Sequence, residues 1–165
     1  MWLLRTIRLE GCKDLRQFVR RILAQQFALK IPVAMLLAAF IPIPETDVQT
    51  TFLRKDPLFA LLAMLVLAPI FETLLLQSAL IEPLRLFRRS RTAQFLAGSI
   101  PFAIVHFPNG IHSGIAAGVV GGLYFSHTYL ECRGRSWWVS TSVTATTHCL
   151  HNLIIAPLAF ATALG

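Results

Sequence analysis

Glu72, His106, His148 and Asn152 are residues whose types and spacing could do chemistry together. Glu72 stands in Pro69-Ile-Phe-Glu72-Thr73-Leu-Leu-Leu-Gln77, inside an apolar run from Pro57 to Ile81 where it is the only charge. His106 closes a Phe102-x-x-x-His106 segment. His148 and Asn152 are at i, i+4 and so share a helix face, with His151 close to it. A carboxylate in a dry setting holds a proton more tightly than in water and can act as a general base toward water. Imidazole and carboxamide N–H groups can stabilise the oxyanion of a tetrahedral intermediate. Peptide hydrolysis needs both parts. The same Glu72, with His106 and His148, could instead hold a divalent metal such as zinc, although the chain has no His-Glu-x-x-His motif.

Around Glu72, Thr73 and Gln77 are themselves at i, i+4, a spacing that lets their side chains bond across one turn, and Gln77 is read as orienting Glu72. Pro69 has no N–H for the carbonyl of Leu65, which leaves a backbone acceptor near the site. A charge at the bilayer centre costs about 2.5–3.5 kcal/mol on insertion scales, so an intramembrane Glu72 calls for partners.

The elements that must position these groups read as membrane helices. The chain has 165 residues, 55% hydrophobic and 14% charged, against about 25% charged in an ordinary soluble domain. Its apolar residues come in long runs. The net charge of +7 is concentrated in short segments between those runs. That is the pattern of loops facing anionic lipid, and it argues against a nucleic-acid partner. The first apolar run is too short, and too interrupted by basic residues, for a signal peptide. Cys12, Cys132 and Cys149 have no ligand spacing and are expected as reduced thiols.

The expected fold is an all-α polytopic membrane helix bundle of about five transmembrane helices with an N-terminal amphipathic surface helix. Residues 1–26 form the basic amphipathic segment, with Leu15, Phe18, Val19 and Ile22 at helical spacing and Lys13, Arg16, Arg20 and Arg21 on other faces. Residues 27–165 form a single transmembrane catalytic domain. Its first span covers about Phe27 to Ile43, with Lys30 snorkelling to the interface. The second covers Pro57 to Ile81, closed by Glu82-Pro83. The third runs from Thr92 to Phe107 and ends in Pro108-Asn109-Gly110, a turn signal. The fourth covers about Ile111 to Leu130, and Gly110, Gly114, Gly118 and Gly122, one every four residues, are expected to line one helix face and let a neighbouring backbone approach. The last opens at the interfacial pair Trp137-Trp138 and reaches at least Ile155, with Pro157 as a kink or stop. If the first run is only interfacial, four spans remain.

Twelve of the fifteen Lys and Arg fall in the N-terminal segment, Arg85–Arg91 and Glu131–Arg135. With five spans these lie on one side, so the N-terminus is expected in the cytoplasm of a bacterial inner membrane. Glu72 is thirteen residues before Arg85, His106 fifteen after Arg91 and His148 thirteen after Arg135. At about 1.5 Å per residue, each lies roughly 20 Å along its helix from a basic turn. Three spans therefore bring a polar group to one depth.

The order Glu72-Thr73-x-x-x-Gln77, Phe102-x-x-x-His106, His148-x-x-x-Asn152 resembles the CPBP family of intramembrane CAAX proteases and bacteriocin-processing proteins, also called Abi. Its pattern is Glu-Glu-x-x-x-Arg, then Phe-x-x-x-His, then His-x-x-x-Asn, and the resemblance covers about Pro57 to Ile155. Thr73 and Gln77 depart from it, a paired loss of one carboxylate and the arginine that balanced it. The resemblance implies an intramembrane endopeptidase acting on a membrane-anchored or lipidated protein or peptide. In it, Glu72 activates water, His106 assists, and His148 and Asn152 hold the oxyanion. Phe102, Thr73, Gln77 and His151 are supporting residues. A metal-free mechanism is favoured over a zinc site of Glu72, His106 and His148, because Asn152 on the active face suits an oxyanion hole better than a metal shell.

Two other classes compete. One is a proton or ion pathway through Glu72 and the histidines, which short spans without an internal repeat make less attractive. The other is a non-catalytic scaffold or immunity protein on the same fold. His112 is read as a solvated interface residue and His127 as interfacial packing. Ser78 lies in no histidine-bearing motif, which disfavours a serine nucleophile. Substrate identity and oligomeric state are not encoded legibly.

Overall fold

In the computed structural model, residues 14–42 and 55–164 are described, and no strand occurs among them. Helix α1 spans Leu15–Phe40. Helix α2 is a continuous path from Pro57 to Leu86, interrupted by two π-helical stretches, Ala63–Leu67 and Thr73–Ser78. Helix α3 is Arg91–His106. Helix α4 is π-helical over Ser113–Val119 and α-helical over Val120–Cys132. Helix α5 is Trp137–Leu164.

Helix starts are set by side chains that accept otherwise unpaired N–H groups. Asp14 Oδ1 accepts from Arg16 N and Gln17 N, at 3.0 and 3.1 Å. Asp56 Oδ1 accepts from Phe59 N at 3.1 Å, with Pro57 in the first turn where its missing N–H costs nothing. Ser90 Oγ caps α3 through Ala93 N, and Ser136 Oγ takes Val139 N ahead of α5.

Several boundaries differ from the sequence expectation. Helix α1 runs without a break through Gln26 and Phe27, where a surface segment was divided from a first span. One stripe explains its continuity: Phe18, Ile22, Gln26 and Lys30, four residues apart, are all buried. Phe18 and Ile22 pack with Val120, Tyr124, Cys132 and Val143, while Arg16, Arg20 and Arg21 stay exposed. Lys30 belongs to the buried stripe and does not snorkel outward. Helix α2 passes Pro83 and stops after Leu86, where Arg88 adopts φ 51° and Arg89 N closes on Leu84 O at 2.8 Å. Helix α5 passes Pro157 and reaches Leu164. Cys132 is buried and Cys149 half-buried, and neither forms a disulfide among the described residues; Cys12 lies outside them.

The small-residue face of α4 does what its spacing suggests. A Cβ on Gly118 would lie 2.8 Å from Ala103 O and 2.9 Å from the Cβ of His106; one on Gly122 would lie 2.8 Å from Ser99 O. The backbones of α3 and α4 therefore meet where His106 and Phe102 leave α3. Gly110 is not part of that face. It sits in the turn after Phe107–Asn109 at φ 95°, a conformation that glycine adopts without steric cost.

The bundle is apolar outside and polar within. Ile31, Met35, Leu36 and Phe40 on α1, and Leu58, Phe71 and Leu75 on α2, are exposed. Thr73, Gln77, Thr128, Thr144, Thr147, His148 and His151 are among the buried residues. Helices α1 and α2 are each long and apolar enough to cross a bilayer. At the basic end, Arg133 Nε and Nη2 grip the two oxygens of Glu82 at 2.7 and 2.9 Å, and Tyr129 Oη donates to Glu82 Oε1 at 2.9 Å. Trp137 Nε1 donates to Ser78 Oγ at 2.7 Å. Arg91 pairs with Glu131 across α3 and α4. These contacts lock the end of α2 against α4 and α5, and so fix the height of Glu72 relative to His148.

Candidate active site

Helices α1 to α5 line a cavity of about 250 Å³, bordered by Glu72, Phe102, His106, His148, His151 and Asn152, and also by Lys30. The groups that the sequence put at one depth thus face one space.

Glu72 lies at the junction between a short α-helical turn, Ala68–Glu72, and the second π-helical stretch. Its Oε2 is 3.9 Å from His148 Nε2, and no group hydrogen-bonds that oxygen among the described residues. A gap of that length is too long for a direct hydrogen bond. His148 is held by its ring: it stacks on Phe125 at 4.2 Å and tilts against Phe102 at 5.6 Å.

His106 is fixed twice by the residue one turn before it. Its Nδ1 donates to Phe102 O at 2.8 Å, and the two rings stack at 4.6 Å. The bond to a carbonyl puts the proton on Nδ1 and leaves Nε2 a lone pair, so the second nitrogen can accept a hydrogen from water. Phe102 is almost wholly buried and touches His106, Phe125 and His148, so it sets the spacing of the two imidazoles.

Asn152 makes a contact that spacing alone did not reveal. Its Nδ2 donates to Met64 O at 2.8 Å. In the first π-helical stretch, Ala68 N–H bonds Ala63 O rather than Met64 O, and the next donor in that wider register would be Pro69, which has no N–H. Asn152 supplies a hydrogen in their place. The acceptor reached near the site is therefore Met64, not Leu65, because the helix there runs at i−5. One Nδ2 hydrogen of Asn152 remains for other use.

Thr73 and Gln77 are fully buried but do not border the cavity. The Thr73 hydroxyl and both carboxamide atoms of Gln77 have no hydrogen-bond partner among the described residues, so they neither bond each other nor orient Glu72. The segment is π-helical, and the i, i+4 register behind that expectation is not its repeat. His112 has both ring nitrogens shielded from solvent, contrary to a solvated role. His127 is buried beside Glu131, its Nδ1 4.0 Å from Oε1. Lys30, which sequence reasoning sent to the interface, donates from Nζ to His151 Nε2 at 2.7 Å. Its place on the four-residue buried stripe was the signal that could have found it.

No three of His, Cys, Asp and Glu converge as metal ligands among the described residues. The cavity also carries the cationic side chain of Lys30, whose charge opposes a bound cation. A carboxylate, two imidazoles and a carboxamide around the cavity offer a proton acceptor and neutral N–H donors.

Residues 54–161, more than half of the chain, match the family model described as type II CAAX prenyl endopeptidase Rce1-like. This is the group that the order of the Glu72, His106 and His148 segments resembles. No curated protein and no solved structure matches the chain.

Proposed function

Because the chain belongs to the type II CAAX prenyl endopeptidase Rce1-like family, a family of membrane-embedded proteases, we propose that it is an intramembrane endopeptidase that cleaves a membrane-anchored or lipidated protein with Glu72 as its base. The observation that carries this reading is the cavity itself: Glu72, His106, His148 and Asn152, from three helices, border one space.

In the proposed reaction, a water between Glu72 and His148 gives a proton to the Glu72 carboxylate as its oxygen adds to the scissile carbonyl carbon. His106 Nε2 accepts the water's other hydrogen and orients its lone pair. The carbonyl oxygen becomes an oxyanion that takes hydrogens from His148 and from the uncommitted Nδ2 hydrogen of Asn152. The C–N bond then breaks, Glu72 returns its proton to the leaving amine, and a carboxylic acid and an amine result. No metal takes part. Exclusion of bulk water by the bundle strengthens each of these interactions.

Thr73 and Gln77 stand where the resembled pattern has Glu and Arg, so the substrate is proposed only as a membrane-anchored or lipidated protein. The basic turns support a cytoplasmic N-terminus in a bacterial inner membrane, with five spans. The reading is tested by comparing protein termini in membranes from cells carrying the wild-type chain and Glu72→Gln. Termini that mature only with the wild type are the expected result; identical termini would overturn it.

A further inference from the structure

Helix α1 brings into the cavity a charge that this reaction does not use. Lys30 is only 9% exposed, yet its side chain borders the cavity. An ammonium has no lone pair, so Nζ donates in its 2.7 Å contact with His151 Nε2 and holds that ring neutral, protonated on Nδ1. The His151 ring is stacked on Phe27 at 4.8 Å and meets the edge of Phe125 at 6.0 Å, so this acceptor is rigid. No carboxylate lies within 4.0 Å of Nζ among the described residues; the pairs that Glu72, Glu82 and Glu131 make are with other groups. A buried ammonium without a counter-ion is costly, and two of its hydrogens remain after His151 is served.

Neighbouring positions on α5 separate this charge from the hydrolytic groups. Asn152 reaches α2 at Met64, whereas His151, one residue earlier and about 100° around the helix, reaches α1 at Lys30. The cation therefore stands on the α1 wall and makes no ion pair with Glu72, although its charge is felt at His106 and His148.

We infer that Lys30, held by a His151 ring that stacks on Phe27, is a carboxylate-binding subsite that grips an anionic group of the peptide while Glu72 acts on a bond some distance along it. This rests on the endopeptidase reading above. The carboxylate can come from the peptide's C-terminus or from an acidic side chain, and the chemistry at Nζ is the same. Lys30 is a binding residue in this scheme and takes no part in proton transfer.

The test uses the full chain carrying Glu72→Gln, so that binding is read without turnover. Three S-farnesylated CAAX peptides serve as probes: one with a free C-terminal carboxylate and no acidic side chain, its C-terminal carboxamide, and that carboxamide with one glutamate. One of the two carboxylate-bearing peptides is expected to bind about ten- to a hundredfold more tightly than the neutral carboxamide. Lys30→Met removes that advantage and Lys30→Arg keeps most of it. Equal binding of the neutral carboxamide by the parent and Lys30→Met chains reports an intact fold. Which carboxylate gains identifies the source. A carboxylate advantage unchanged by Lys30→Met overturns the subsite, as does the absence of any advantage. So does an equal fall in kcat for all three peptides when Lys30→Met is made in the Glu72 chain, since that would place the ammonium at the oxyanion. Cleavage surviving Glu72→Gln would sink the role of Glu72 as base alone, because the Lys30 comparison is then read as a carboxylate-dependent KM.

Discussion

Asn152 Nδ2 donates to the backbone carbonyl of Met64 at 2.8 Å, so the site on α5 is tied to the widened turn of α2 that precedes Glu72. One carboxamide thereby serves two ends. It satisfies an acceptor that Pro69 cannot reach, and it is itself held in one orientation beside the cavity.

Asn152→Ala is expected to fail in both respects. Loss of the bond to Met64 O should lower stability by about 1–3 kcal/mol, read as a fall in unfolding midpoint in detergent. Loss of an oxyanion donor should lower kcat by about 10²–10³-fold. A variant with normal kcat but reduced stability would leave Asn152 a purely structural tie.

Glu72→Gln is expected to abolish cleavage, by at least about 10²–10⁴-fold, while keeping the fold, since the carboxamide matches the carboxylate in size and Glu72 makes no direct hydrogen bond through Oε2. Cleavage of a lipidated peptide in proteoliposomes, alongside unfolding of the same preparation, separates the two effects. Robust turnover in this variant is the outcome that the mechanism cannot survive.

Gly118→Ala should act on His106 through the backbone. The added methyl would press on Ala103 O and on the Cβ of His106, and overpacking of this kind costs about 1–3 kcal/mol. Reduced stability and reduced turnover are expected together. Gly134→Ala is the control, because a Cβ there meets nothing within 4 Å, and its stability should stay within about 0.5 kcal/mol of the wild type.

Chelation should leave turnover unchanged. Phenanthroline added to the purified enzyme in detergent is expected to have no effect, as the donor set does not converge as metal ligands. Stoichiometric zinc that leaves together with activity, and restores it on return, would show the assignment of roles to be mistaken.

The sequence by itself determined what depends on order and period along one helix. The apolar runs dictated an all-α membrane bundle. The distances of Glu72, His106 and His148 from the basic turns put them at a common height, and they do border one cavity. The glycine repeat of α4 marked where α3 could approach, because absence of a Cβ is a property of the residue alone. What tertiary structure decided were relationships across helices and departures from the regular repeat. The spacing of Thr73 and Gln77 implied a bond, but the π-helical stretch that contains them leaves both without partners. The missing N–H of Pro69 was legible; that Asn152 would answer it at Met64 was not, since the widened turn selects the carbonyl and the packing of α5 supplies the donor. Lys30 was read by its type, as a cation that escapes to water. Its fate was set instead by the buried stripe it shares with Phe18, Ile22 and Gln26, and by a histidine 121 residues further along the chain whose lone pair meets it there. A residue's local period selects the face it occupies, but only the helix packed against that face supplies the partner that makes a buried charge tolerable.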